Sequence, residues 1–412
     1  MKILLSVFAC SPEWGSEPGV GWRWALALAG KHDVTVITHA YFKQQIDKVS
    51  MPDGQPLPCF RYVDLDVFGL HPHRLLNSRL YYMLWQLKAA WSARRWIGDF
   101  DLVHHLTWGT YRFPSFMGLL GKPFINGPLG GGERSPARLW MRLPLRERAF
   151  EFARSALIEL SRFDPFVWLN MKSSDLIFCK TDETRDALPW FARGKARVAT
   201  EIGVMPGQQW GAAKDYTGRE RFTLFYAGRL IGLKGVHLII RALAELRHRH
   251  GLDVDLSIAG DGPMHSYLVD LAISLGVGDS VKFLGKVPRD ALLTLYRDMD
   301  LFVFPSFHDS SGNVILESMS AGLPVVCLDL GGPKHFLDDD SGVVVPAKGV
   351  SEATVVGRLV EAISELLTSP GTLSALSAGA LRRCDAFTWE KQVDAVYDAI
   401  AAEGLAATRP SA

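Results

Sequence analysis

Cysteine is scarce in this chain and badly placed for pairing. Cys10, Cys59, Cys179, Cys327 and Cys384 are five among 412 residues, an odd number with no Cys-x-x-Cys spacing. A disulfide-stapled scaffold and a structural zinc ribbon are therefore excluded, and a reducing, cytoplasmic setting fits. Long apolar runs are missing too: none approaches the roughly 20 residues that span a bilayer. Residues 1–10, MKILLSVFAC, have too short an apolar core and too few basic residues for a signal peptide, and read as an opening strand. Net charge is almost absent at +1, which argues against bulk nucleic-acid binding.

What is present is a globular composition, 48% hydrophobic with 22% charged residues, on a chain long enough for two domains. The charge is split unevenly. Residues 1–205 carry 26 Lys and Arg against 19 Asp and Glu, a net of +7, and the remainder is net −6, so the first half is the one suited to an anionic partner.

The stretch at 301–326, LFVFPSFHDSSGNVILESMSAGLPVV, organises the second half. It reads as a buried strand stopped by Pro305, a polar loop ending at Gly312-Asn313, a helix over 314–321, a Gly322-Leu323-Pro324 stop and a second strand. A helix that starts at the carboxyl end of a parallel strand offers free N–H groups and a positive dipole to a phosphate. Asp309 precedes that start and Glu317 lies inside the helix, leaning toward it. The plainer alternative is a surface helix capped by Ser310 or Ser311, with Glu317 in solvent. Upstream, a strand over 222–227 ends in Gly228-Arg229-Leu230, and Lys234-Gly235 opens a helix over 236–248. Two cations at such a helix start suit a diphosphate. Strands over 255–259 and 281–284 end in Gly260-Asp261-Gly262-Pro263 and Gly285-Lys286-Val287-Pro288. Repeated strand, glycine turn and helix describe a doubly wound parallel sheet with its ligand at the carboxyl strand ends.

The first half repeats the pattern less cleanly. Gly19 and Gly21 stand in a turn before a helix predicted at 22–29, where a ligand could approach the backbone; a tight turn explains them equally. His104 and His105 end a strand predicted at 101–106, on opposite faces, before the polar loop 107–110. Gly130, Gly131 and Gly132 form a ligand loop, a hinge or a plain turn. Residues 71–98 hold Tyr81, Tyr82, Trp85, Trp91 and Trp96 with five basic residues and no acid, and 134–162 carry seven basic residues against three acidic ones among further aromatics. The first reads as a helix at a membrane surface or as a buried aromatic helix with a basic exposed face, the second as a membrane-facing or partner-facing helix. The spaced acids Asp64/Asp66 and Asp253/Asp255 read as solvated strand faces, not metal ligands, and the Gly- and charge-rich run 203–221 as the linker between domains.

At these residues the chain resembles the retaining glycosyltransferases of family 4. The matching residues are Gly228-Arg229-Leu230-x-x-x-Lys234-Gly235, Gly260-Asp261-Gly262-Pro263, and 309–317 followed by Ala321-Gly322-Leu323-Pro324-Val325. The resemblance implies an α/β, GT-B fold, two Rossmann-like doubly wound domains facing a central cleft. It implies an acceptor-binding domain over 1–205, a nucleotide-sugar-binding domain over 206–388, and a helix over 389–412 packing back on the first. It also implies that Arg229 and Lys234 hold a diphosphate, that Glu317 meets the ribose and Asp309 the donor sugar, and that amides at Gly312, Asn313 and Val314 meet sugar and phosphate. Gly19, Gly21, Gly260, Gly262, Lys286 and Val287 complete the donor site that it implies, with His105, or else His104, beside the reacting sugar. No metal and no cofactor beyond the nucleotide-diphosphate sugar are expected. Two departures stand out. The family's first acid is usually Glu, and Asp309 is shorter by roughly 1.5 Å of reach; and of its usual His-x-His, the second place is Leu106 here. The expected activity is sugar transfer to a glycan or lipid-linked acceptor in surface polysaccharide synthesis, in the cytoplasm or peripherally on the inner face of the plasma membrane, with an anionic membrane surface as a partner and no nucleic acid. A sugar-nucleotide epimerase of the same fold and a non-catalytic nucleotide-sugar-binding homologue are the alternatives.

Overall fold

A computed structural model of the chain describes residues 1–51, 54, 56–66, 78–205, 207 and 209–405. Residues 71–77 of the first basic aromatic segment, 206 and 208 of the expected linker, and 406–412 therefore lie outside the described residues. Seven strands form the first sheet: β1 Lys2–Ser6, β2 Asp33–His39, β3 Cys59–Val63, β4 Leu102–His105, β5 Phe124–Leu129, β6 Leu176–Cys179 and β7 Ala196–Val198, in the order β3-β2-β1-β4-β5-β6-β7. Six form the second: β8 Arg221–Ala227, β9 Asp253–Ala259, β10 Val281–Gly285, β11 Leu301–Phe304, β12 Val325–Leu328 and β13 Gly342–Val345, in the order β10-β9-β8-β11-β12-β13. Every pairing is parallel. The central strands read as unbroken Val, Ile, Leu and Phe runs because both faces are covered by helices.

The longer helices are α1 Ser16–Ala29, α2 Arg79–Ala93, α3 Leu145–Leu160, α4 Pro165–Ser173, α5 Val236–His248, α6 His265–Ser274, α7 Arg289–Asp298, α8 Asn313–Ser320, α9 Glu352–Thr368, α10 Pro370–Cys384 and α11 Trp389–Ala402. Contacts divide the chain into two units. Unit 1 is Met1–Gly132, Ala156–Ile202 and Trp389–Ala412; unit 2 is Glu133–Ser155 and Gly203–Thr388. In unit 1, α11 is tied to the sheet and to the turn after α1: the Tyr397 hydroxyl meets His104 Nδ1 at 3.0 Å and Lys31 pairs with Asp394 at 2.5 Å.

Several expectations are corrected. Residues 133–155, assigned by sequence to the first domain, cluster with unit 2. Glu147 there accepts from the Gly232 N–H at 2.8 Å, and Arg138 donates to the Gly349 carbonyl at 2.8 Å. The run 203–221 is no free linker but part of unit 2. Tyr216 is fully buried with its hydroxyl on the Asp300 carbonyl at 2.8 Å, and Lys214 donates to the Tyr296 carbonyl at 3.1 Å. Asp255 and Asp253 are ion-paired, not merely solvated: Arg221 reaches Asp255 at 2.6 Å and Arg247 reaches Asp253 at 3.5 Å. Strands β7 and β13 were not predicted; the first is only three residues long and the second follows directly on an acidic turn at 338–340.

Gly19 and Gly21 lie inside α1, which starts six residues before the predicted helix. A Cβ on Gly21 would sit 2.4 Å from Val7 Cγ1 and 2.5 Å from the Ala9 carbonyl oxygen, so this glycine lets α1 lie directly on the end of β1. Its role is packing. Overpacking of this kind costs about 1–3 kcal/mol. Gly21→Val is therefore expected to lower unfolding free energy in urea by that amount, with affinity for nucleoside diphosphate unchanged in the folded variant; a selective loss of affinity without loss of stability is the contrary result.

Candidate functional site

The order of the second sheet reverses between β8 and β11, and in an open α/β sheet the crevice beyond the carboxyl strand ends at such a point is where ligands bind. Here the strand ends are interlocked through backbone. Gly228 and Gly260 have φ of 155° and 142°, and a Cβ on Gly260 would lie 1.9 Å from the Gly228 carbonyl oxygen. One on Gly262 would lie 2.4 Å from the Leu230 carbonyl oxygen. Leu230 N–H donates to Asp261 at 3.0 Å and Met264 N–H to Leu230 at 3.0 Å, closing the two turns on each other. The β8 turn is pinned from the other side too. Phe307 N–H donates to the Leu233 carbonyl at 2.8 Å, and a Cβ on Gly235 would lie 2.1 Å from the Pro305 carbonyl oxygen. Only glycine fits these approaches.

Charge is arranged around this frame. The Lys234 ammonium pairs with Asp309 and sits 5.2 Å from the centroid of the Phe304 ring. Arg229 is exposed and makes no ion pair among the described residues. Helix α8 begins at Gly312, whose φ is 84°, with no side-chain cap and no acid in its first turn. Ser310 and Ser311 do not cap it, so the N–H groups of Asn313 and Val314 are left for another partner. The Asp309 backbone is fixed by the loop after β12, where Gly332 N–H donates to its carbonyl at 2.7 Å. Exposed Lys286 and half-buried Val287 follow the end of β10.

Glu317 lies one turn into α8 and is mostly buried. The Tyr296 hydroxyl donates to it at 3.4 Å and Arg289 stands 3.7 Å away, both from α7. Burial raises its carboxyl above the ordinary 4.5, against the pull of Arg289 and Tyr296.

Sequence reasoning missed the support behind this site. In α3, Glu151 is buried and meets His308 Nε2 at 3.3 Å, while Glu147 caps the Gly232 N–H. Burial pushes the Glu151 carboxyl up, but the hydrogen bond and charge of His308, with smaller contributions from Ser135 and Arg154, leave it below its ordinary value. No local signal marks these acids; they read as two more charges in a basic helix.

In unit 1 the histidines end β4, beside β1 where the first sheet reverses, but their rings are enclosed. His104 is fully buried, with Nε2 on the Gly127 carbonyl at 2.8 Å and Nδ1 on Tyr397; His105 is fully buried, with Nε2 on Tyr82 at 2.9 Å and Nδ1 on Ser6 at 3.2 Å. Every ring nitrogen has a partner, and burial lowers the two groups to about 4 and about 3. Both rings are enclosed and fully paired within unit 1. Gly131 and Gly132 serve packing: Cβ atoms there would lie 2.4 Å from Thr110 Oγ1 and 2.6 Å from Thr184 Cα.

The raised Glu317 carboxyl has a consequence for stability. A carboxyl whose folded pKa is raised contributes its full stability below the unfolded value and loses it as pH rises through the folded one. Glu317→Gln is therefore expected to be more stable than the parent at pH 7, with the difference closing as pH falls toward and below 4.5. Paired thermal melts across that range check it; equal stability at neutral pH is the result against it.

Comparison with known proteins follows this geometry. Residues 214–383 match the family model described as glycosyl transferases group 1. A 139-residue stretch is 44% identical to an uncharacterized glycosyltransferase of Methanocaldococcus jannaschii, covering 33% of this chain and 35% of that one. A 200-residue stretch is 36% identical to a D-inositol 3-phosphate glycosyltransferase of Salinispora arenicola, covering 46% and 43%. The chain thus spans less than half the length of these relatives. Among solved structures, Anabaena HepE in complex with UDP superposes with a TM-score of 0.61 at 17% identity, over 98% of this chain and 100% of that one. The chain therefore has the GT-B fold, and the part of it that builds the strand-end crevice of unit 2 is similar to the group 1 glycosyltransferases.

Proposed function

We propose that this protein is a retaining, metal-independent glycosyltransferase of family 4, which moves a sugar from a nucleotide-diphosphate sugar to a glycan or lipid-linked acceptor in surface polysaccharide synthesis. The observation that carries the reading is that Arg229 and Lys234 leave the turn after β8, with Lys234 paired to Asp309 in the loop that leads to the uncapped start of α8, over closely approaching glycine turns. A nucleoside diphosphate is the ligand class that suits all three: two cations, free N–H donors and close backbone approach. That a structural relative carries UDP supports the same class here.

In this reading the diphosphate takes Lys234 from Asp309, and Asp309 turns to the donor sugar. Glu317 accepts from ribose hydroxyls. As the bond from sugar to phosphate breaks, negative charge grows on the departing diphosphate, and Arg229, Lys234 and the α8 amides stabilise it in place. Cations already at that position perform the task a divalent metal has in other phosphate chemistry. This reading gives no role to His104 and His105, whose ring nitrogens are paired within unit 1.

The test is a thermal-shift screen of UDP, GDP and ADP sugars, followed by assay of nucleoside diphosphate release with and without glycan and lipid-linked acceptors. Ligand at ten times its dissociation constant stabilises by about 1.4 kcal/mol, enough to rank donors. Release that depends on acceptor supports transfer. A donor epimer formed without acceptor replaces transfer with isomerisation, and no turnover of any bound donor leaves a binding protein. Removal of one fixed donor at a developing charge costs roughly 100- to 1,000-fold. Lys234→Ala is expected to lower kcat by that order, and Arg229→Ala, at the more exposed position, by about tenfold or more with weaker diphosphate binding; unaltered kinetics in both variants would contradict the assignment.

A further inference from the structure

Helix α2 is apolar on both sides. Its inner face is packed: Tyr82 meets His105, and Trp85 Nε1 donates to the Val63 carbonyl at 2.9 Å. Its outer face should then be polar, as on an ordinary surface helix. Instead Leu80, Leu84, Leu87 and Trp91 point outward at successive spacings of four, three and four residues, with Leu80 66% and Trp91 60% exposed. The stripe continues across unit 1. A groove of about 680 Å³ runs beside it, lined by Leu80 and Met83 of α2 and by Leu160, Phe163 and Phe166, with Phe163 80% exposed. Monomeric soluble proteins rarely expose a contiguous apolar patch of this kind unless something covers it.

The charges beside the patch say what covers it. Lys88, Arg94 and Arg95 are exposed on and just after α2, which carries no acid. The Arg95 guanidinium lies 5.2 Å from the Trp91 ring centroid, so indole and cation stand together at one end of the stripe. The acids bordering the groove are neutralised: Asp164 by Arg79, and Glu159 by Arg162 at 3.0 Å. Exposed leucines and a tryptophan with three adjoining cations, against one exposed acid, Asp99, beyond them, are the chemistry of a helix lying in the interface of an anionic bilayer. We propose that the outer face of α2 and the groove beside it dock on an anionic lipid bilayer surface. Among the described residues no helix is long and apolar enough to cross a membrane, so the contact is with the surface. This proposal goes beyond sugar transfer and stands whether or not that reading holds.

The test uses the full chain and vesicle flotation at low salt, with phosphatidylcholine alone and with added phosphatidylglycerol. The chain is expected to float with the anionic vesicles and far less with the neutral ones. Each basic residue near such a surface contributes about fivefold to partitioning, so Lys88→Gln, Arg94→Gln and Arg95→Gln together should reduce it by about 100-fold. Leu80→Ser, Leu84→Ser and Trp91→Ser together should abolish flotation. Thermal melting of both triple variants, and their binding of nucleoside diphosphate, separates a lost surface from a lost fold. Flotation that is absent with both lipids, equal with both, or unchanged in folded variants overturns the proposal. So does a dimer in light scattering that the serine variant disperses, because the patch is then covered by a second copy.

Discussion

Backbone-to-backbone contact between the turns that end β8, β9 and β11 is the constraint on which unit 2 depends. A side chain at Gly260 or Gly235 would occupy the position of a carbonyl oxygen on the neighbouring turn, at 1.9 and 2.1 Å. The turns therefore stand closer than any other residue type allows, and what they expose is amide and carbonyl. Lys234 leaves this frame one residue before Gly235, so its ammonium is aimed by the same contact that brings the β11 loop, and Asp309 with it, within pairing distance. Replacing any of these glycines would move the charges as well as the chain.

The frame is held from behind by a segment that the chain order does not associate with it. The first turns of α3 come from the first half of the sequence, yet Glu147 satisfies the Gly232 N–H in the β8 turn and Glu151 holds His308 next to Asp309. Leu143 and Glu147 also crowd Gly232, where a Cβ would come within 2.7 Å of the leucine. A buried carboxylate is costly unless paired, and Glu151 is paired by His308 and by Arg154 at 3.7 Å, which with a Ser135 hydrogen bond leave it below its ordinary value. The departure from the family's usual glutamate at Asp309 thus comes with a neighbour, His308, whose imidazole is fixed by an acid on another element.

Much of this was legible in the sequence, and the failures share one cause. Strands β8, β9 and β11 and helices α5 and α7 announce themselves by apolar runs, glycine turns and 3.6-residue periodicity, all local signals, and the cationic pair at 229 and 234 follows from its place between strand and helix. Gly19 and Gly21 are ambiguous in sequence because a glycine that admits a ligand and one that admits a neighbouring segment have the same local pattern; only the positions of the Trp14 carbonyl and of Val7 reveal the close approaches. His104 and His105 look like catalytic residues until Tyr397 and Tyr82 arrive from positions 293 and 23 residues away. The run at 203–221 has a linker's composition, but Tyr216 and Lys214 find buried partners about 80 residues on. In each case the deciding contact is long-range, and a reading of one sequence carries no information about it.

Topology by itself nominates two sites, because each sheet reverses its strand order once, at β1 and β4 in unit 1 and at β8 and β11 in unit 2. Local charge separates them. The helix that follows β1 begins with Glu17 in its first turn, so the positive end of its dipole is answered by the chain's own carboxylate. That carboxylate also stands 3.5 Å from Lys180 at the end of β6, and Glu201 pairs with the same lysine at 2.7 Å. Lys180 and Glu201 there are buried and paired with each other, with Glu17 half-buried at the helix start, and an arriving anion would have to displace Glu17 and compete with Glu201 for the lysine. At the start of α8 no acid occupies the first turn and no side chain caps the N–H groups, and Arg229 is exposed without a partner among the described residues. The same architecture thus builds one strand-end crevice that satisfies itself and one that is left wanting an anion, and it is the second that fits a diphosphate.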